Sequence, residues 1–149
     1  MFSLNPTNRA EQVLYSSCGQ KKCKDGPAPE AGLMNVKGAL DGTMMEGGAH
    51  RRGTVFVIDR KIRGERVLYS FCGQEKCADG DHAVAGLIDV KCMLYGTMED
   101  GGASGHGTVL SLDPATGTET VLYSFCSRRE CVDSAWPKAG LIDVKGWLL

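Results

Sequence analysis

Seven cysteines are the first residues of this chain with the type and spacing to do chemistry. Six of them form three pairs of one spacing, Cys18/Cys23, Cys72/Cys77 and Cys126/Cys131. Each pair sits in a segment rich in Gly, Asp and Lys. Three readings compete for such pairs. A disulfide within each segment would clip it, and the chain-entropy model values so short a loop at about 2 kcal/mol. Zinc needs four ligands and one pair supplies half of them. Equivalent segments in separate units of the fold would lie too far apart to share an ion. Reduced thiols are the third reading, the state of a cytosolic protein. Cys92 stands outside the pairs, replacing Gly38 and Gly146. It reads as a buried small apolar residue, with an intermolecular bridge as the other reading.

The remaining chemistry-bearing residues are His50, His82 and His106, recurrent acids, and four basic clusters. His50 and His106 lie beside glycines and read as surface-loop residues. Asp25, Asp79 and Asp133 each follow a second cysteine by two residues. Asp89 and Asp143 match each other, where the first copy has Asn35. Repeated acids suit calcium or a carboxylate pair. Recurrence in every copy points instead to turn capping, because a unique active site breaks the symmetry. The clusters Lys21-Lys22-Lys24, Arg51-Arg52, Arg60-Lys61-Arg63 and Arg128-Arg129 suit either a solvated rim or a face for an anionic polymer. No stacking aromatics lie among them, which argues against nucleic acid. No Gly-x-Ser-x-Gly, His-Glu-x-x-His or phosphate-loop motif occurs.

The elements that position these residues repeat. Val13-Leu14-Tyr15-Ser16 returns at Val67 to Ser70 and at Val121 to Ser124, each time after 54 residues. Ala31-Gly32-Leu33 returns at Ala85 and Ala139, Gly42-Thr43-Met44 at Gly96, and Gly53-Thr54-Val55 at Gly107. The copies run about 1–54, 55–108 and 109–149, in a single repeat domain, 1–149, with the last copy cut short. Each copy predicts four short strands: Val55 to Asp59, Arg66 to Phe71, Leu87 to Val90 and Met93 to Met98. Turns fall near Arg63-Gly64 and, in the third copy, at Asp113-Pro114-Ala115-Thr116-Gly117. No long apolar stripe of helical period is present, so no helix is expected. Twenty glycines and a net charge of −1 fit a turn-rich β protein with no general pull toward nucleic acid or membrane.

A four-stranded repeat of this size predicts an all-β fold of β-propeller blades, with an open stack of sheets as the alternative. Three blades are too few for a ring. Two chains are therefore expected to form a six-bladed homodimer, with Trp147-Leu148-Leu149 of one beside Phe2-Ser3-Leu4 of the other. A lone chain would expose strand edges and apolar faces.

The strings Glu119-Thr120-Val121-Leu122-Tyr123-Ser124-Phe125-Cys126 and Ala139-Gly140-Leu141-Ile142-Asp143 resemble the bacterial GloVer tandem-repeat family. Leu94-Tyr95-Gly96-Thr97, Gly101-Gly102-Ala103 and Gly107-Thr108-Val109 carry the same resemblance. It implies propeller-like repeats, often exported and held at the cell surface, with no shared catalytic set. Copy one departs from the pattern with Asp41 where copy two has Tyr95. The resulting expectation is a non-catalytic binding module without cofactor or metal, outside the cell. The sequence names no ligand, a carbohydrate being one candidate, and the loop-rim contacts expected are His50, Arg51, Arg52, Asp79, His106 and Asp133. The alternatives are a hydrolase or lyase acting on an anionic polymer through loop Asp and His residues, and an architectural surface repeat.

Overall fold

A computed structural model describes residues 1–59 and 64–149. The predicted turn near Arg63 and the basic cluster Arg60-Lys61-Arg63 lie outside the described residues, although Gly64 opens a strand. The described residues form twelve strands in order: β1 (Phe2–Leu4), β2 (Glu11–Val13), β3 (Met34–Val36), β4 (Ala39–Met44), β5 (Thr54–Asp59), β6 (Gly64–Ser70), β7 (Ile88–Val90), β8 (Met93–Met98), β9 (Thr108–Leu112), β10 (Glu119–Ser124), β11 (Asp143–Val144) and β12 (Trp147–Leu148). All pairing between strands is antiparallel. The only helical turns among the described residues are three 3-10 turns, each ending on the second cysteine of a pair.

The strands lie where the sequence puts them, but the sheets cut across the copies. One four-stranded sheet runs β3-β4-β5-β6 and the next β7-β8-β9-β10. Thus β5 and β6 pair with the strands before them, Met44 standing opposite Thr54. The copy running 55–108 is not one sheet; its first two strands close one sheet and its last two open the next. The chain accordingly begins with a two-stranded piece, β1-β2, and ends with another, β11-β12. The outer strands β6 and β10 carry the same irregularity, their register skipping Leu68 and Leu122.

Period-two burial drives the stacking. Val55, Phe71, Leu87, Leu94, Met98, Leu110 and Leu112 form one buried cluster between the complete sheets, with Leu68 and Tyr69 packed against it. Met44, Phe56 and Ile58 form a second, covered by Met1, Tyr15 and Leu33. Thr43 Oγ1 donates to the Ala85 carbonyl (3.1 Å), and Thr97 Oγ1 to that of Ala139 (2.9 Å), tying each sheet to the segment entering the next.

Glycine sets the closest approach. A Cβ on Gly80, whose φ is +100°, would come within 2.6 Å of Met98 Cγ. The loop after β8 therefore lies directly on the cysteine loop, with Gly102 N–H donating to the Cys77 carbonyl (3.0 Å). Cys92 corrects the sequence reading. It is exposed, not buried, and sits at φ +68° in the turn between β7 and β8. Gly38 and Gly146 hold equivalent turns at +92° and +88°, so the position requires a left-handed backbone rather than a small core residue.

Candidate functional site: the cysteine-loop face

Each cysteine pair is a disulfide: Cys18–Cys23, Cys72–Cys77 and Cys126–Cys131. Both cysteines of every pair have positive φ, as does the residue before the second one. The recurrent aspartates organise these loops. Asp25 Oδ2 accepts from the Tyr15 hydroxyl (2.6 Å) and Gly19 N–H (2.9 Å), and Oδ1 accepts from Gln20 N–H (3.2 Å). Asp79 repeats the pattern with Tyr69, Gly73 and Gln74. Asp133 repeats it with Tyr123, Ser127 and Arg128, and these bonds, that from Tyr123 foremost, hold its carboxyl below the usual range. Burial, then the bonded aspartate, pushes the Tyr15 and Tyr69 hydroxyls up.

A second carboxylate adjoins two of these clamps. Gln20 Nε2 donates to Glu65 Oε2 (2.5 Å), and the Tyr69 hydroxyl lies 3.5 Å from Glu119 Oε2. Burial, with the charge of Asp79 behind it, lifts Glu119 to about 7. Burial likewise raises Glu65. Away from the loops, Asp41 is 2 % exposed in β4. Burial and then the charge of Asp89 raise it to about 6.

The loop face departs from the repeat at one junction in each direction. The backbone N–H of His82 donates to the Arg52 carbonyl (3.1 Å), and that of Trp136 to the His106 carbonyl (2.9 Å), so these are equivalent junctions. The first holds ions. Arg52 pairs with buried Asp81 (3.1 Å), and His82 Nδ1 lies 3.2 Å from both Asp81 Oδ1 and Asp100 Oδ2. Burial raises Asp81, opposed by His82 and Arg52. The second junction holds rings. The His106 and Trp136 rings lie 4.9 Å apart, tilted at 56°, and His106 Nδ1 donates to the Ser104 carbonyl (2.6 Å). One ligand atom each from His106, Cys126 and Cys131 lie within 4.8 Å of one another.

Of the candidate contacts, Asp79 and Asp133 are occupied by their own loops, while His50, Arg51 and Arg52 are exposed. Arg51 and Lys22, from two sequence clusters, line one open cavity of about 260 Å³ with Cys23, Pro27, Glu46 and Gly47. Lys22 also lines an adjoining cavity of about 350 Å³ with Gln20, Lys21 and Lys24. The Asp81–His82–Asp100 cluster escaped the sequence reading. Its signal was there as broken symmetry: Asp81 stands where the other copies have Pro27 and Ala135, and His82 where they have Ala28 and Trp136.

These features define an all-β tandem-repeat protein whose repeats are disulfide-clipped and whose loops meet on one face. The chain matches the Gloeobacter/Verrucomicrobia repeat over residues 1–149 and belongs to that family. No curated protein and no solved structure matches it. Three disulfides fit an oxidising compartment. Among the described residues no helix is long and apolar enough to cross a membrane.

Proposed function

We propose that this chain is a non-catalytic binding module of β-propeller type that takes an acidic carbohydrate on its cysteine-loop face, outside the cell. The observation that carries this is the convergence of Lys22 and Arg51 on one cavity, with Glu46 the single acid in its lining, and Lys22 is shared with the separate cavity at Lys21 and Lys24. Ammonium and guanidinium groups around an open recess suit spaced carboxylates or sulfates on a polymer. The recurrent aspartates, by contrast, are consumed by tyrosine and backbone donors, which supports a structural role for them.

The ring closes through the half-sheets. Phe2 and Leu4 hold the repeat positions of Phe56 and Ile58, which are buried, yet they are 64 % and 56 % exposed. A second copy restores their cover when its β12 is laid on β1 in the internal register. Leu40 faces Ile58 and Leu94 faces Leu112 in the complete sheets, so Leu148 falls opposite Leu4.

Calorimetric titration with a polyuronate and with a neutral glucan tests the binding reading. The polyuronate is expected to bind and to weaken with salt, and Lys22→Ala with Arg51→Ala to cost at least tenfold. No binding, or binding unaffected by the two substitutions, overturns it. A hydrolase or lyase reading is favoured by the asymmetric Asp81–His82–Asp100 cluster. It requires shortened polymer in the same mixture, abolished by His82→Ala. Neither binding nor shortening leaves the architectural repeat.

A further inference from the structure

The third cysteine loop breaks the repeat at a residue outside both basic cavities. Gln20, Gln74 and Arg128 hold one repeat position, just before each 3-10 turn. Glu11, Glu65 and Glu119 hold another, at the start of the described parts of β2 and β10 and near that of β6. We propose that Arg128 of one chain pairs with Glu11 of a second copy, an ion pair where the junctions inside the chain place a glutamine. The inference rests on the ring of two chains and names the charged contact that selects it.

The first internal junction is the template. There Gln20 Nε2 donates to Glu65 Oε2, 45 positions along the chain. At the next, Glu119 Oε2 lies 3.5 Å from the hydroxyl of Tyr69, in the loop clamp that Gln74 shares. Carried one junction further around the ring, the step from Arg128 lands on Glu11 of the second chain. The apolar surroundings agree. Tyr15 packs on the cluster of Phe56 and Ile58. Their equivalents at the chain junction are Tyr123 and the second copy's Phe2 and Leu4, all exposed in the single chain.

Arg128 is placed for this contact. Gln20, Gln74 and Arg128 share one extended backbone, with φ/ψ of −85°/152°, −94°/159° and −102°/155°, so their side chains leave the loops alike. Each N–H donates to the clamp aspartate of its own loop, that of Arg128 to Asp133 Oδ1 (3.3 Å). Arg128 and Glu11 are both exposed, and neither forms an ion pair among the described residues. Opposite charges on the two edges give the contact a direction. The Arg128 edge attracts the Glu11 edge and repels a second Arg128 edge, which favours head-to-tail closure.

Sedimentation equilibrium of the full chain tests the pair. Arg128→Glu and Glu11→Arg each set like charges at both junctions of the ring, and each should weaken the dimer at least roughly tenfold. Mixed one to one, the two variants again place opposite charges at both junctions and should form a mixed dimer of parental strength. Arg128→Gln, which supplies the residue of the internal junctions, should keep the dimer and lose most of its salt dependence. A parent that stays a single chain overturns the ring and the pair together. A dimer that neither charge reversal weakens, or that mixing fails to restore, overturns the pair and leaves the ring standing.

Discussion

Glu119 makes the stability of this fold depend on pH near neutrality. Its folded-state value is about 7 against an ordinary 4.5, raised first by burial and then by the charge of Asp79. The folded chain therefore holds a proton more tightly than the unfolded one. The stabilisation is fully present below about 4.5 and is lost as pH rises through about 7. At ~1.4 kcal/mol per unit the gap corresponds to about 3 kcal/mol. Glu119 is only part-buried, and solvent screening reduces this to about 1–2 kcal/mol. Asp41, raised to about 6, adds in the same direction over a slightly lower window. Urea unfolding at pH 5 and pH 8 reads the effect, and the chain should be less stable at pH 8. Glu119→Gln mimics the protonated acid beside Asp79 and should remove the Glu119 share of the difference, leaving that of Asp41, and should be no less stable than the parent at pH 8. A flat stability from pH 5 to 8, or a Glu119→Gln variant that keeps the whole slope, refutes the assignment.

Two further predictions follow from the packing and the loops. Phe71→Ala opens a fully buried site and should cost about 3–5 kcal/mol, whereas Phe125→Ala, the part-exposed equivalent, should cost under about 2; denaturant midpoints of the two variants compare them directly. Cys72→Ser with Cys77→Ser removes the middle clip and should lower stability by about 2 kcal/mol under oxidising conditions; reductant, which opens all three clips, should cost the parent more than that and bring parent and variant to the same stability.

The strands were legible in the sequence because period-two burial and turn residues mark them locally. The frame of the sheets was not. A tandem repeat defines its period, but its phase is arbitrary, and only the ladder from Met44 to Thr54 decides which strands share a sheet. Cys92 was misread because substitution at a glycine position carries two meanings, lost space or lost backbone freedom, and φ alone separates them. The capping aspartates were legible from recurrence. Site residues that depend on asymmetry were half-visible: Asp81 and His82 broke the repeat in plain view, but their union with Arg52 and Asp100 depends on the contact between consecutive loops. The approach of Lys22 to Arg51, 29 positions along the chain, is of the same kind.

Solution mass by light scattering tests the ring of two chains most directly. The account predicts twice the 16.0 kDa chain mass, unchanged by reductant and shifted toward the single chain by Leu4→Arg. A stable species at the mass of one chain, with Phe2 and Leu4 open to solvent, contradicts it.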